Sequence, residues 1–158
     1  MEELLEYRRD ILSALIDIVP QLLRLAGDMP EAAWHIAVEK NGNTPHYILS
    51  RLVQLEYQVY AVYIPRIIEE NVPLLPLIDV DAWMLVHYDP SVPVQSMVDQ
   101  FARHRTQEVD RLHELPIQSW SRTARHPWWG VRTLQWWVER QLDESQRHLK
   151  ALAAFQPF

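Results

Sequence analysis

Apolar residues recur along the chain at the 3.6-residue period of amphipathic helices. Leu4, Ile11, Leu15, Ile18, Val19, Leu22 and Ala26 share one face and predict a first helix from about Glu3 to Ala26. Gly27 suits the left-handed position beyond its end, and Pro20 predicts a kink. Thr44 as N-cap and Pro45 at the first helical position open a second helix. Its stripe is Ile48, Leu52, Leu55, Val59 and Val62, with a kink expected at Pro65 before the end around Glu70. The third helix starts near Pro93, with Val94, Met97, Val98, Phe101, Val109, Leu112 and Leu115 inward. The fourth runs from about Gly130 to Ala154, with Leu134, Val138, Leu149 and Leu152 inward. With three Gly residues and no long β-branched alternation, strands are not expected.

The connections set the topology. "DMPEAAWHIAVEKNGN" links the first two helices, with room for one short helical turn. From Asn71 to Ser91 the chain carries Pro73, Pro76 and Pro90, with Pro93 just beyond. This crossover is too apolar for a disordered segment, and a short helix is expected at "DVDAWMLVH". A connection of about 22 residues lets helices two and three run parallel, whereas short connections favour antiparallel neighbours. The reading is an all-α chain, one domain over residues 1–158, folded as a four-helix bundle in up-down-down-up order.

Composition narrows the function classes. Hydrophobic residues make up 48% of the 158 positions, enough for one sizeable core. The net charge of −6 argues against a nucleic-acid surface. No run reaches the ~18 apolar residues of a membrane helix, and the start lacks a signal-peptide core, so a cytoplasmic protein without a membrane partner is expected. There is no Cys, which excludes disulfides, thiolate metal sites and a Cys nucleophile. Gly-rich phosphate loops, serine-nucleophile motifs and HExxH are also lacking.

The stripes of three helices are interrupted by polar residues. Gln141, Ser145 and His148 fall on the apolar face of the fourth helix, with Glu144 and Trp137 on its flank. Arg105 lies on the apolar line of the third helix, beside Glu108. Arg51 and Glu56 flank opposite edges of the second stripe. Buried charge is tolerated when paired, so these positions predict one internal polar site, with Arg105 paired to Glu56. Glu144 and His148, four apart, point the same way and could be half of a metal site or a hydrogen-bonded pair. His46, His104 and His113 are read as lying away from the site, and His126 as overhanging the start of the fourth helix.

The order of "TPHYILSRLVQLEYQVYAVYIPRI", "PLLP", "WMLVHYDP", "FARHR" and "WSRTARHPWWGVRTLQWWVERQLDESQRHL" resembles the DinB/YfiT-like superfamily over roughly Trp34 to Leu152. The resemblance implies the same bundle topology, a homodimer, and a pocket at one end. It also implies a divalent metal held by three His, one from the second helix and two from a His-x-x-x-His on the fourth. Relatives include thiol-dependent S-transferases and isomerases. This chain departs at the ligand positions: Arg51 and Glu144 replace two of the His, and only His148 matches. Arginine stays protonated and offers no lone pair to a metal. No cofactor is therefore expected. Instead, an Arg51–Glu144 ion pair is expected where the metal would sit, with His148 hydrogen-bonded at the same point.

The segment Arg125 to Trp137 holds four of the seven Trp residues. Trp137 is expected to wall the pocket, and Trp136 to meet the crossover or a second subunit. The functional expectation is a bundle with a degenerate metal site. Its pocket (Arg51, Glu56, Arg105, Trp137, Glu144 and His148) would bind a small, anionic molecule. The alternative is a divalent-metal-dependent hydrolase or thiol S-transferase in which Glu144 and His148 hold zinc or nickel.

Overall fold

The computed structural model describes residues 1–154; the last positions of the expected domain, 155–158, lie outside the described residues. Helix α1 (Glu2–Asp28) continues through Pro20, which lies on its exposed face. Gly27 is inside the helix and not beyond it. The chain leaves at Met29 in extended conformation, with its N–H bonded to Leu25 O, so no left-handed residue is needed.

The second rod has three parts: α2 (Pro45–Gln54), a π segment (Leu55–Tyr60) and α3 (Ala61–Glu69). Thr44 caps it, its hydroxyl accepting from Tyr47 N at 3.1 Å. The wider π turn inserts an extra residue and rotates the phase of everything after it. Tyr60 at its end is buried, beyond it the buried positions are Tyr63, Ile64 and Ile67, and the expected inward Val62 is only partly buried.

The crossover packs as an ordered strap. Arg125 N donates to Pro73 O and Leu75 N to Arg125 O, at 2.9 and 2.8 Å. It contains α4 (Val80–His87), capped by the Asp79 carboxylate on Ala82 N. Helix α5 (Val94–Glu114) follows.

Against the expectation of no strands, the described residues form two. β1 (Thr123–His126) and β2 (Gly130–Thr133) form an antiparallel hairpin. Pro127, Trp128 and Trp129 make its turn, and Gly130 has φ +69°, the left-handed residue that closes such three-residue loops. Helix α6 (Leu134–Ala153) therefore begins at Leu134 and not at Gly130, with Thr133 as its cap.

Side-chain pairing shows the helix directions. Tyr7 bonds Glu139 and Arg8 bonds Gln135, so α1 and α6 start at the same end. Ile11 and Leu12 there share an apolar cluster with Ile64 and Ile67 at the end of α3 and Val109 and Leu112 at the end of α5. Ile18 and Leu22 cluster with Ile48, Leu52, Met97 and Val98 from the starts of α2 and α5. The bundle is thus up-down-down-up. Two apolar clusters occupy its ends, and polar side chains lie at mid-height between them. No helix among the described residues is long and apolar enough to cross a membrane.

Trp136 stacks within its own chain, edge-on to Trp137 at 4.9 Å and beneath the Arg132 and Arg140 guanidinium groups. At the other end of the apolar face, Leu4 is exposed while Arg8 is buried, its guanidinium over the Trp120 ring at 5.3 Å.

Candidate functional site

The polar residues expected to form one site form two. The first is sealed in the bundle. The Arg105 guanidinium, fully buried, holds the Glu56 carboxylate with two bonds of 2.9 Å, as expected from the sequence. It also donates to Leu15 O at 3.0 Å and Ser145 Oγ at 2.9 Å. Gln141 Nε2 donates to Glu56 Oε1 at 2.9 Å and to Glu108 Oε2 at 2.5 Å. His104 bonds Glu56 at 3.0 Å, so it belongs to this layer and not to the outer face of its helix.

Two carboxyl groups here have opposite fates. Burial opposes ionisation of Glu56, but the Arg105 charge and the bonds from His104 and Arg105 outweigh it and hold its pKa down at about 2. Burial, reinforced by the Glu56 charge, pushes Glu108 up to about 7. Glu108 Oε1 and Gln141 Oε1 are both buried without partners. Glu56 and Arg105, expected in the ligand pocket, are thus structural and do not line the cleft described next.

The second site is a cleft of about 1030 Å³. It runs along the groove between the second rod and α6, from Tyr47 to Tyr63 on one side and Trp137 to Ala151 on the other, and not at one end of the bundle. The crossover residues Leu77 to Asp81 and the hairpin residues His126, Trp128 and Trp129 roof it. Arg51, Trp137, Glu144 and His148 all lie on its walls.

Arg51 and Glu144 face the same cleft but do not form the expected pair. Arg51 Nε and Nη2 hold the Asp81 carboxylate at 2.6 and 3.3 Å, and Nη1 meets His148 Nε2 at 2.8 Å. Asp81, on α4, reaches Arg51 because the crossover returns over the groove. Glu144 is taken by Tyr60 Oη at 2.8 Å and Arg140 Nε at 3.2 Å. Arg140 also lies over the Trp129 ring at 4.5 Å.

His148 donates through Nδ1 to Glu144 O at 2.6 Å, so Nε2 is the acceptor for Arg51. Burial and the Arg51 charge hold its pKa below the ordinary value, and it is uncharged at neutral pH. Its ligating lone pair is therefore engaged by a guanidinium. Among the described residues no three His, Asp or Glu side chains gather where they could hold a metal ion.

Three cleft residues had no readable signal as a set. Asp81 sits in a crossover whose path is a tertiary fact, and Tyr60 is turned inward by the π segment. His126, expected to overhang the start of the fourth helix, instead ends a hairpin strand. His46 proves structural: buried, with Nδ1 accepting from Tyr88 Oη and Nε2 donating to Val92 O, both at 2.7 Å.

No family model and no curated protein matches the chain. Among solved structures it is similar to YfiT from Bacillus subtilis, described as a probable metal-dependent hydrolase with an unusual four-helix bundle topology. The TM-score is 0.86 at 15% identity, covering 94% of this chain and 85% of that one. At that identity the likeness speaks for architecture, and it agrees with the helix directions read from the side chains. The chain has the four-helix bundle fold seen in YfiT.

Proposed function

We propose that the cleft binds a small planar carboxylic acid, with Arg51 as the anchor. The observation that carries this reading is the Arg51–Asp81 pair. The guanidinium fork is already matched to a carboxylate at the open side of the cleft, and Asp81 is 68% exposed there. A ligand carboxylate can take its place from solvent. The walls around it, Tyr47, Tyr63, Trp128, Trp129 and Trp137, offer flat apolar surface for a ring or conjugated chain. Glu144 and Arg140 neutralise one another beside it, so the cleft does not repel an anion.

The test is calorimetric titration with benzoate. Arg51→Gln abolishes binding. Asp81→Asn strengthens it a few-fold, the ~0.5–1 kcal/mol an exposed pair is worth as a competitor. Undiminished binding by Arg51→Gln, or weaker binding by Asp81→Asn, would overturn the reading.

The alternative is a divalent-metal-dependent hydrolase or thiol S-transferase, and the description of YfiT favours it. The donor set speaks against it. Glu144 and His148 are the only two ligand types at the expected positions, and each is engaged by an arginine. These residues do not fit a zinc or nickel ion, and no step is assigned to one.

A further inference from the structure

His126 ends β1, and its imidazole folds under the hairpin turn. Nδ1 accepts from the backbone N–H of Trp128 at 3.1 Å and of Trp129 at 3.2 Å. A ring nitrogen that receives two N–H donors cannot carry a hydrogen itself, so the hydrogen is on Nε2. The ring is fixed between Tyr63 and Trp137, at centroid distances of 5.8 and 5.4 Å. Burial and the nearby Arg140 keep the ring uncharged at neutral pH. Nε2 has no partner among the described residues, yet it is not among the buried unpartnered atoms. His126 lines the cleft, so this N–H opens onto it.

We propose that His126 is a ligand-binding residue of the cleft, an uncharged imidazole locked as the Nε2–H tautomer that donates to an acceptor on the bound acid. The acceptor is an oxygen other than those held by Arg51. A turn-bracing role accounts for Nδ1 and leaves the orientation of Nε2 without a purpose. The hairpin turn thus doubles as a device that sets the tautomer. The proposal rests on the cleft binding a planar acid, and it adds that the acid carries a second polar group.

The experiment uses the folded protein with ¹⁵N-labelled imidazoles, and benzoate and 4-carbamoylbenzoate as probes. Long-range proton–nitrogen correlation at pH 7 is expected to show His126 with its hydrogen on Nε2. Adding 4-carbamoylbenzoate shifts that nitrogen. His126→Asn keeps an acceptor for the two turn N–H groups but loses the reach of Nε2. It lowers affinity for 4-carbamoylbenzoate about tenfold, the scale of one hydrogen bond, and leaves benzoate unchanged. A charged or Nδ1–H imidazole, or probe binding that leaves Nε2 unmoved, overturns the proposal. So does equal affinity in the variant. If Arg51→Gln abolishes binding while His126→Asn does not alter it, the acid reading stands and the His126 role falls. If neither probe binds the parent, both fall.

Discussion

Replacing Glu108 by Gln should make this protein more stable at pH 8 and leave it nearly unchanged at pH 5. Glu108 is buried at bundle mid-height, 8% exposed, facing Glu56, Arg105, His104 and Gln141. Burial and the Glu56 charge raise its pKa from the ordinary 4.5 to about 7. Between these values the folded state holds a proton that the unfolded chain has released, so stability falls as pH rises through the window. At about 1.4 kcal/mol per unit, the full span is worth about 3 kcal/mol. Glu56 behaves oppositely: its folded pKa is depressed, so its stabilisation is present above 4.5 and lost as pH falls toward 2. A Gln at 108 can accept from Gln141 with its carbonyl and put its amide where Oε1 now lacks a partner. It has no proton to lose. Urea unfolding of parent and variant at pH 5 and pH 8 isolates Glu108, because other titrating groups largely cancel in the difference. The variant should gain about 2–3 kcal/mol relative to parent on going from pH 5 to pH 8. A difference that is the same at both pH values, within the ~0.5 kcal/mol of the extrapolation, would refute the reasoning.

Val72 has φ 44°, a conformation costly for a β-branched residue, and is exposed. Val72→Gly should therefore stabilise by up to about 1 kcal/mol in thermal or urea unfolding. Arg51→His with Glu144→His supplies, with His148, three imidazoles on the two rods. Calorimetric titration with zinc or nickel should show one-to-one binding by the double variant and none of comparable strength by the parent; a folded double variant that binds neither ion counts against the convergence of these positions. A homodimer is also proposed on the resemblance, and the exposed Leu85 and Val86 of α4 give it an apolar contact surface. Sedimentation at micromolar concentration that returns the monomer mass would contradict it.

Much of the architecture could be read without coordinates. The apolar periodicity of α1, α2, α5 and α6 is local, and a long crossover allows only a few helix orders. The Arg105–Glu56 pair was also legible, since a guanidinium on an apolar stripe must find a carboxylate inside. The hairpin was not. "HPWWG" carries turn chemistry, with Pro entering the loop and Gly leaving it. But β1 and β2 are short and have only a weak alternating pattern, and part of their pairing comes from the crossover through Pro73 and Leu75.

The site shows the same division. The sequence by itself determined that Arg51, Glu144 and His148 would lie on facing helices, because helical phase is a local property. It did not determine their partners. Whether Arg51 meets Glu144 or Asp81 depends on where α4 is laid by the crossover, and a guanidinium takes the best-placed carboxylate within reach. The π segment is likewise a tertiary outcome: one extra residue in a turn changes no propensity, yet it shifts the inward face from Val62 to Tyr63. The tautomer of His126 follows from two backbone N–H groups that the folded hairpin aims at one nitrogen. Periodicity and charge burial act within a few residues or on any available partner, so they are written in the sequence. Pairings between segments distant along the chain are chosen by packing, and only the folded structure contains them.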